Sequence, residues 1–100
     1  MEFLVDFTVN VPAGTAQSEL DARKAAEAVR ADELVRGGHL LRVWQPPLQP
    51  GESRILGLYS AGSERELRGL LESLPLYVWM TFTITPLAVH PNDPAIGTRA

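Results

Sequence analysis

The sequence predicts an α+β fold in the order β-α-β-β-α-β, and three observations carry that prediction. Residues 2–10 and 77–85 each alternate apolar and polar side chains with the period of a half-buried strand. The Ala-, Glu- and Arg-rich stretch up to Arg36 reads as a long helix. Ser63, with Glu66 three residues on, forms a capping box that opens a second, shorter helix.

In the first strand Phe3, Val5, Phe7 and Val9 take one set of alternate positions, and Glu2, Asp6, Thr8 and Asn10 fall on the other. Pro12-Ala13-Gly14 closes it. Thr15 or Ser18 is expected to cap the first helix, whose apolar stripe is read as Leu20, Ala25, Ala28, Ala31, Leu34 and Val35. Gly37-Gly38 supplies its C-terminal stop. His39–Trp44 is the second strand. Pro46, Pro47 and Pro50 bar the next segment from a central ladder, so 45–51 is a loop. Arg54–Ser60 returns as the third strand. The second helix runs from Ser63 to about Leu74 and ends at Pro75. In the last strand, 77–85, Val78, Met80, Phe82 and Ile84 alternate with Trp79, Thr81, Thr83 and Thr85.

Two strand–helix–strand units around a central hairpin give a four-stranded antiparallel sheet with two helices on one face, the ferredoxin-like arrangement. Two helices cover one face only. The other, with Trp79 and threonines on its last strand, is expected to pack on a second sheet and make a dimeric α/β barrel. The tail, 86–100, carries three prolines and is expected to be extended, either lying on a neighbouring subunit or unordered.

One hundred residues make a single domain, 1–100, small enough that oligomerisation is an economical source of stability. The chain has no cysteine, which excludes disulfides, thiolate metal sites and cysteine nucleophiles. A formal charge of −3 with scattered basic residues leaves no stripe for nucleic acid. No apolar run reaches the roughly 20 residues of a membrane span, and the alternating N-terminus is no signal peptide. A soluble cytoplasmic protein is expected.

Three segments resemble the muconolactone isomerase family. They are Met1–Pro12, matching the family's first strand with its closing proline; Gly38–Trp44, matching its second; and Ser73-Leu-Pro-Leu-Tyr-Val-Trp-Met80 followed by Thr85–Pro94, matching its last strand and His-Pro tail. The resemblance implies a cofactor-free isomerase that moves a proton within a small unsaturated lactone acid, converting muconolactone to the enol-lactone of 3-oxoadipate. It also implies dimeric barrels assembled into larger rings, typically decamers. Lys24 and Glu27 match charged positions of the family's first helix. Ala28 and Val29 stand where relatives have a lysine and a glutamate, Gln45 replaces an arginine, and the 45–53 loop is longer and proline-rich. These departures suggest a tailoring isomerase or cyclase acting on a larger, more apolar substrate. A non-catalytic small-molecule-binding or scaffold member of the same fold is the alternative.

A 1,3-proton shift needs a base and a donor or cation for the enolate oxygen. Glu27 is the candidate base, with Lys24 on the same helix face as a partner for a carboxylate; an exposed ion pair is the competing reading. Arg42 is a candidate anion anchor. Asp6 would become a second candidate base if buried. Trp44, Tyr59, Tyr77 and Trp79 are candidate pocket walls, and His39 a titrating group at a cleft mouth. His90 is read as an anchor for subunit packing. Each of these also has a plainer reading in the core, at a subunit contact or in solvent.

Overall fold

The computed structural model describes residues 1–97. Its elements are β1 (Glu2–Val9), α1 (Gln17–Arg36), β2 (Leu40–Trp44), β3 (Arg54–Ser60), α2 (Glu64–Glu72), β4 (Met80–Leu87) and α3 (Pro94–Gly97). The four strands form one antiparallel sheet in the order β2-β3-β1-β4, the expected ferredoxin-like topology.

The period-2 pattern of β1 sends Phe3, Val5 and Phe7 to the helix side, where all three are buried. They pack with Tyr59 of β3, Leu34 of α1, and Leu67 and Leu71 of α2. Phe7 meets Tyr59 and Phe82 edge-on, with ring centroids 6.2 and 6.3 Å apart. Tertiary burial of this kind is what holds helices of such lengths in place.

Local chemistry sets the helix ends. Ser63 Oγ accepts the Glu66 N–H at 3.1 Å, as the capping box requires, while the Glu66 carboxylate accepts from Gly62 N–H rather than from Ser63. Neither Thr15 nor Ser18 caps α1; the N-cap is Ala16, with no side-chain bond. Thr15 Oγ1 donates instead to the Pro12 carbonyl, closing the turn after β1. Gly38, at φ +79°, lets the chain leave α1, and His39 N–H returns to the Leu34 carbonyl.

Further expectations need correcting. Residues Tyr77–Trp79 form a 3₁₀ turn rather than the start of a strand. Tyr77 N–H donates to the Leu74 carbonyl and Trp79 N–H to that of Leu76, so local turn bonds outcompete the alternation. β4 therefore begins at Met80 and runs on to Leu87.

The inward face of α1 also differs from the expected stripe. Leu20, Arg23, Glu27, Arg30, Ala31 and Leu34 are buried or half-buried, whereas Ala25 and Ala28 are exposed, Val29 is 65% exposed and Val35 53%. The spacing is helical, but charged residues belong to the inward stripe. They are accommodated because each finds a partner in the segment after α2. Arg23 donates to the Pro75 carbonyl at 3.0 Å and stacks over Trp79, Arg30 donates to Ser73 Oγ, and Glu27 accepts the Leu76 N–H.

The tail is not wholly extended: 94–97 is a helical turn, and 98–100 lie outside the described residues. No helix among the described residues is long and apolar enough to cross a membrane.

Candidate active site

Between α1, the helix side of the sheet and the end of α2 lies a cavity of about 190 Å³. Its walls are almost wholly apolar, with Phe7, Leu40, Ile55, Leu74 and Met80 prominent; the ionisable groups lining it are Glu27 and Tyr59. A small apolar chamber with a few convergent polar groups is the usual form of a small-molecule site.

Glu27 reaches the chamber from the middle of α1. Its Oε1 accepts the Leu76 N–H at 3.0 Å, and Oε2 has no partner among the described residues. Burial pushes its carboxyl above the usual glutamate range, and the Leu76 bond opposes that shift in part. A tethered, partly desolvated carboxylate with one free oxygen has the properties of a general base.

Tyr59, 4% exposed, comes from β3. Burial raises its phenol well above the ordinary value, and the Glu27 charge adds to the shift, which ties the two groups electrostatically. The ring leans along its own strand over Gly57. A Cβ built at Gly57 would stand 2.7 Å from Tyr59 Cε1, so the strand lacks a side chain where the ring lies.

The other candidates are elsewhere. Arg42 and Trp44 pair across the ladder with Leu58 and Leu56, on the sheet face away from the helices. A register shift between Leu40 and Arg42 puts them there. Leu40 faces the chamber and simple alternation would keep Arg42 on its side; the extra residue turns Arg42 out, where it lies over the Trp44 ring at 5.1 Å. Asp6 is on that same open face, paired in two-pronged fashion with Arg54 at 2.8 and 3.0 Å. The Arg54 hydrogen bonds hold its carboxyl below the ordinary range, the opposite of the rise that burial would bring.

Lys24 is exposed on α1, one turn before Glu27, with no ion pair among the described residues. The His39 ring donates from Nδ1 to the Ser60 carbonyl at 2.9 Å, tying β2 to the end of β3. Tyr77 packs on Phe82 with centroids 5.9 Å apart, and Trp79 lies beneath Arg23 at 4.9 Å. His90 Nδ1 accepts the Asn92 N–H within the tail. Among the described residues no three His, Asp or Glu side chains gather as a metal site.

So the structure brings Glu27 and Tyr59 together and separates Arg42, Trp44 and Asp6 from them. It adds Gly57 and the Leu76 amide, which sequence reasoning missed. Gly57 left a signal, a lone glycine in an apolar strand; the amide left none, because a backbone donor has no side-chain signature.

Comparison with known proteins bears on the family and the fold. The family model for muconolactone delta-isomerase matches residues 1–93. Muconolactone delta-isomerase of Cupriavidus pinatubonensis is 34% identical, over 93% of this chain and 98% of the relative. An Acinetobacter lwoffii counterpart is 32% identical, over 93% and 94%. A crystal structure of muconolactone isomerase superposes with a TM-score of 0.83 at 27% identity, covering 93% of this chain and 94% of that one. The chain therefore belongs to the muconolactone delta-isomerase family and is an isomerase of that type.

Proposed function

We propose that the protein moves a proton between the γ and α carbons of a small unsaturated lactone, muconolactone or a close analogue, with Glu27 as the base that both removes and returns it. One observation carries this reading: Glu27 lines an apolar chamber, partly desolvated, and is tethered through one carboxylate oxygen to the Leu76 amide. Tethering fixes the carboxylate, and burial raises its basicity towards the range a base needs near neutrality. The shift is redox-neutral: one C–H bond breaks, another forms, and the ring double bond migrates.

A substrate carboxylate would be repelled by Glu27 inside so apolar a chamber and belongs at its mouth, in water. Lys24, exposed one turn before Glu27 and without an ion pair among the described residues, is the cation assigned to it. Lys24→Gln should then raise KM several-fold with little change in kcat, since removing uniform binding leaves the chemical step alone; steady-state kinetics check this.

The functional unit is proposed to be at least a dimer. The open sheet face carries Leu4, Leu56, Leu58 and Trp44 side by side in register, an apolar patch that a second copy of the same face could cover.

The reading is tested by incubating the protein with muconolactone in deuterated water and following isomerisation and deuterium uptake by NMR. Turnover or exchange that disappears in Glu27→Gln supports it. Absence of both signals from a well-folded protein would sink it.

A further inference from the structure

We infer that the Tyr59 hydroxyl hydrogen-bonds the substrate's carbonyl oxygen and stabilises the enolate formed there, so that the chamber takes an uncharged, carbonyl-bearing unsaturated ring. The inference rests on the isomerase reading above and assigns the half that Glu27 leaves open, the donor for the developing oxyanion.

A buried tyrosine hydroxyl normally has a hydrogen-bond partner. Tyr59 has none among the described residues, yet no polar side-chain atom there is sealed in without a partner. Its hydroxyl therefore opens onto space, and the space that Tyr59 lines is the Glu27 chamber. Gly57 makes the arrangement possible by leaving room for the ring. No lysine, arginine or histidine lines the chamber, so among its lining side chains the phenol is the one available donor while Glu27 is ionised. Burial and the adjacent carboxylate keep that phenol protonated, which suits a donor and disqualifies it as a base.

The step balances without further reagents. The γ C–H bond breaks, its proton passes to Glu27, and its electron pair runs through the ring double bond onto the carbonyl oxygen. Tyr59 keeps its own proton and donates a hydrogen bond to that oxygen. As the carbonyl re-forms, the electron pair takes the same proton back from Glu27 at the α carbon. Negative charge leaves Glu27 as it appears on the oxygen, so the chamber never holds two anions. A second full charge on the enclosed part of the substrate would break that balance. This is why the ring carbonyl belongs inside and any carboxylate outside.

The test is Tyr59→Phe, which keeps the ring that packs on Phe7. Loss of one oxyanion donor should lower kcat by about 10²–10³-fold, with KM little changed and the acid limb set by Glu27 unmoved. Gly57→Ala, which pushes the ring aside, should lower kcat with the same unmoved limb, by up to about 10²-fold. Independently of turnover, the infrared carbonyl stretch of bound 2(5H)-furanone, labelled with carbon-13 at the carbonyl, should lie lower in the wild type than in Tyr59→Phe. A kcat for Tyr59→Phe within about threefold of wild type would overturn the assignment with the isomerase reading intact. If the wild type neither isomerises nor exchanges muconolactone, that reading fails, and the infrared experiment alone decides on Tyr59. A shift lost in Tyr59→Phe supports the donor role; an unshifted or undetectable bound carbonyl overturns it.

Discussion

The two faces of the sheet each hold a carboxylate, and the protein treats the two in opposite ways. On the helix side Glu27 sits in an apolar chamber with a single backbone donor, and burial raises its pKa. On the open side Asp6 meets the two-pronged Arg54 guanidinium, and its pKa falls. The same functional group becomes a base on one face and half of an ion pair on the other. What differs is the environment that strand register and helix packing supply, so position within the fold, rather than residue type, identifies the site.

The largest expected effect comes from removing the charge on the helix side. Glu27→Gln should cost about 10²–10⁴-fold in kcat while leaving the fold at least as stable near neutral pH. The sign follows from linkage. A carboxyl whose folded pKa is raised contributes most below its unfolded value, near 4.5, and that contribution is lost as pH rises through the folded value. Glutamine keeps an oxygen for the Leu76 N–H and carries no charge. The wild type and variant should thus converge in acid, with the variant melting equal or higher at pH 7; a clear drop in Tm there would break the contrast between the faces.

Much of this was legible in the sequence, and the failures have a shared cause. The strands and the capping box follow from local periodicity and local hydrogen bonds, so β1, β3 and α2 are near where the sequence put them. Glu27 and Tyr59 were nameable from their chemistry. The grouping of Arg42 with Glu27 failed because a single extra residue in β2 reversed which face Arg42 meets, and a bulge leaves no mark in a run such as Leu40-Leu41-Arg42. For the stripe of α1, hydrophobicity alone favours Ala25 and Ala28 over Arg23 and Glu27. Only the carbonyl of Pro75, the indole of Trp79 and the amide of Leu76, about fifty residues on, make those charged side chains suitable for the inside. The pairing of Asp6 with Arg54 is hidden from the sequence for the same reason: the partner is non-local.

The next effect in size tests whether the open face is open in solution. Leu58 stands between Arg42 and Leu4 in the register, near the middle of that face. Leu58→Asp would leave an unpaired charge inside a sheet-to-sheet interface, at a cost of several kcal/mol, which corresponds to self-association at least about a hundredfold weaker. Sedimentation or light scattering over a concentration series should show the wild type as a dimer or larger and the variant as a monomer. A wild type that stays monomeric at high concentration would remove the proposed second copy.

The smallest effect sharpens the comparison most, because its sign is fixed. Asp6 has a folded pKa below its ordinary 3.8, so its contribution to stability is present above the unfolded value and is lost as pH falls through the folded one. In the isolated chain Asp6→Asn should lower Tm slightly at pH 7 and not at all in strong acid, with kcat unchanged because the chamber is on the other face. The pair is partly exposed in the isolated chain, and exposed pairs contribute little. Covered by a second copy it would be desolvated, and removing one partner would then strand a buried arginine. The Tm loss in Asp6→Asn should accordingly be larger in the wild-type background than in the Leu58→Asp monomer. Equal losses in both would mean that Arg54 and Asp6 stay in water in the assembly, and that whatever covers the open face stops short of them.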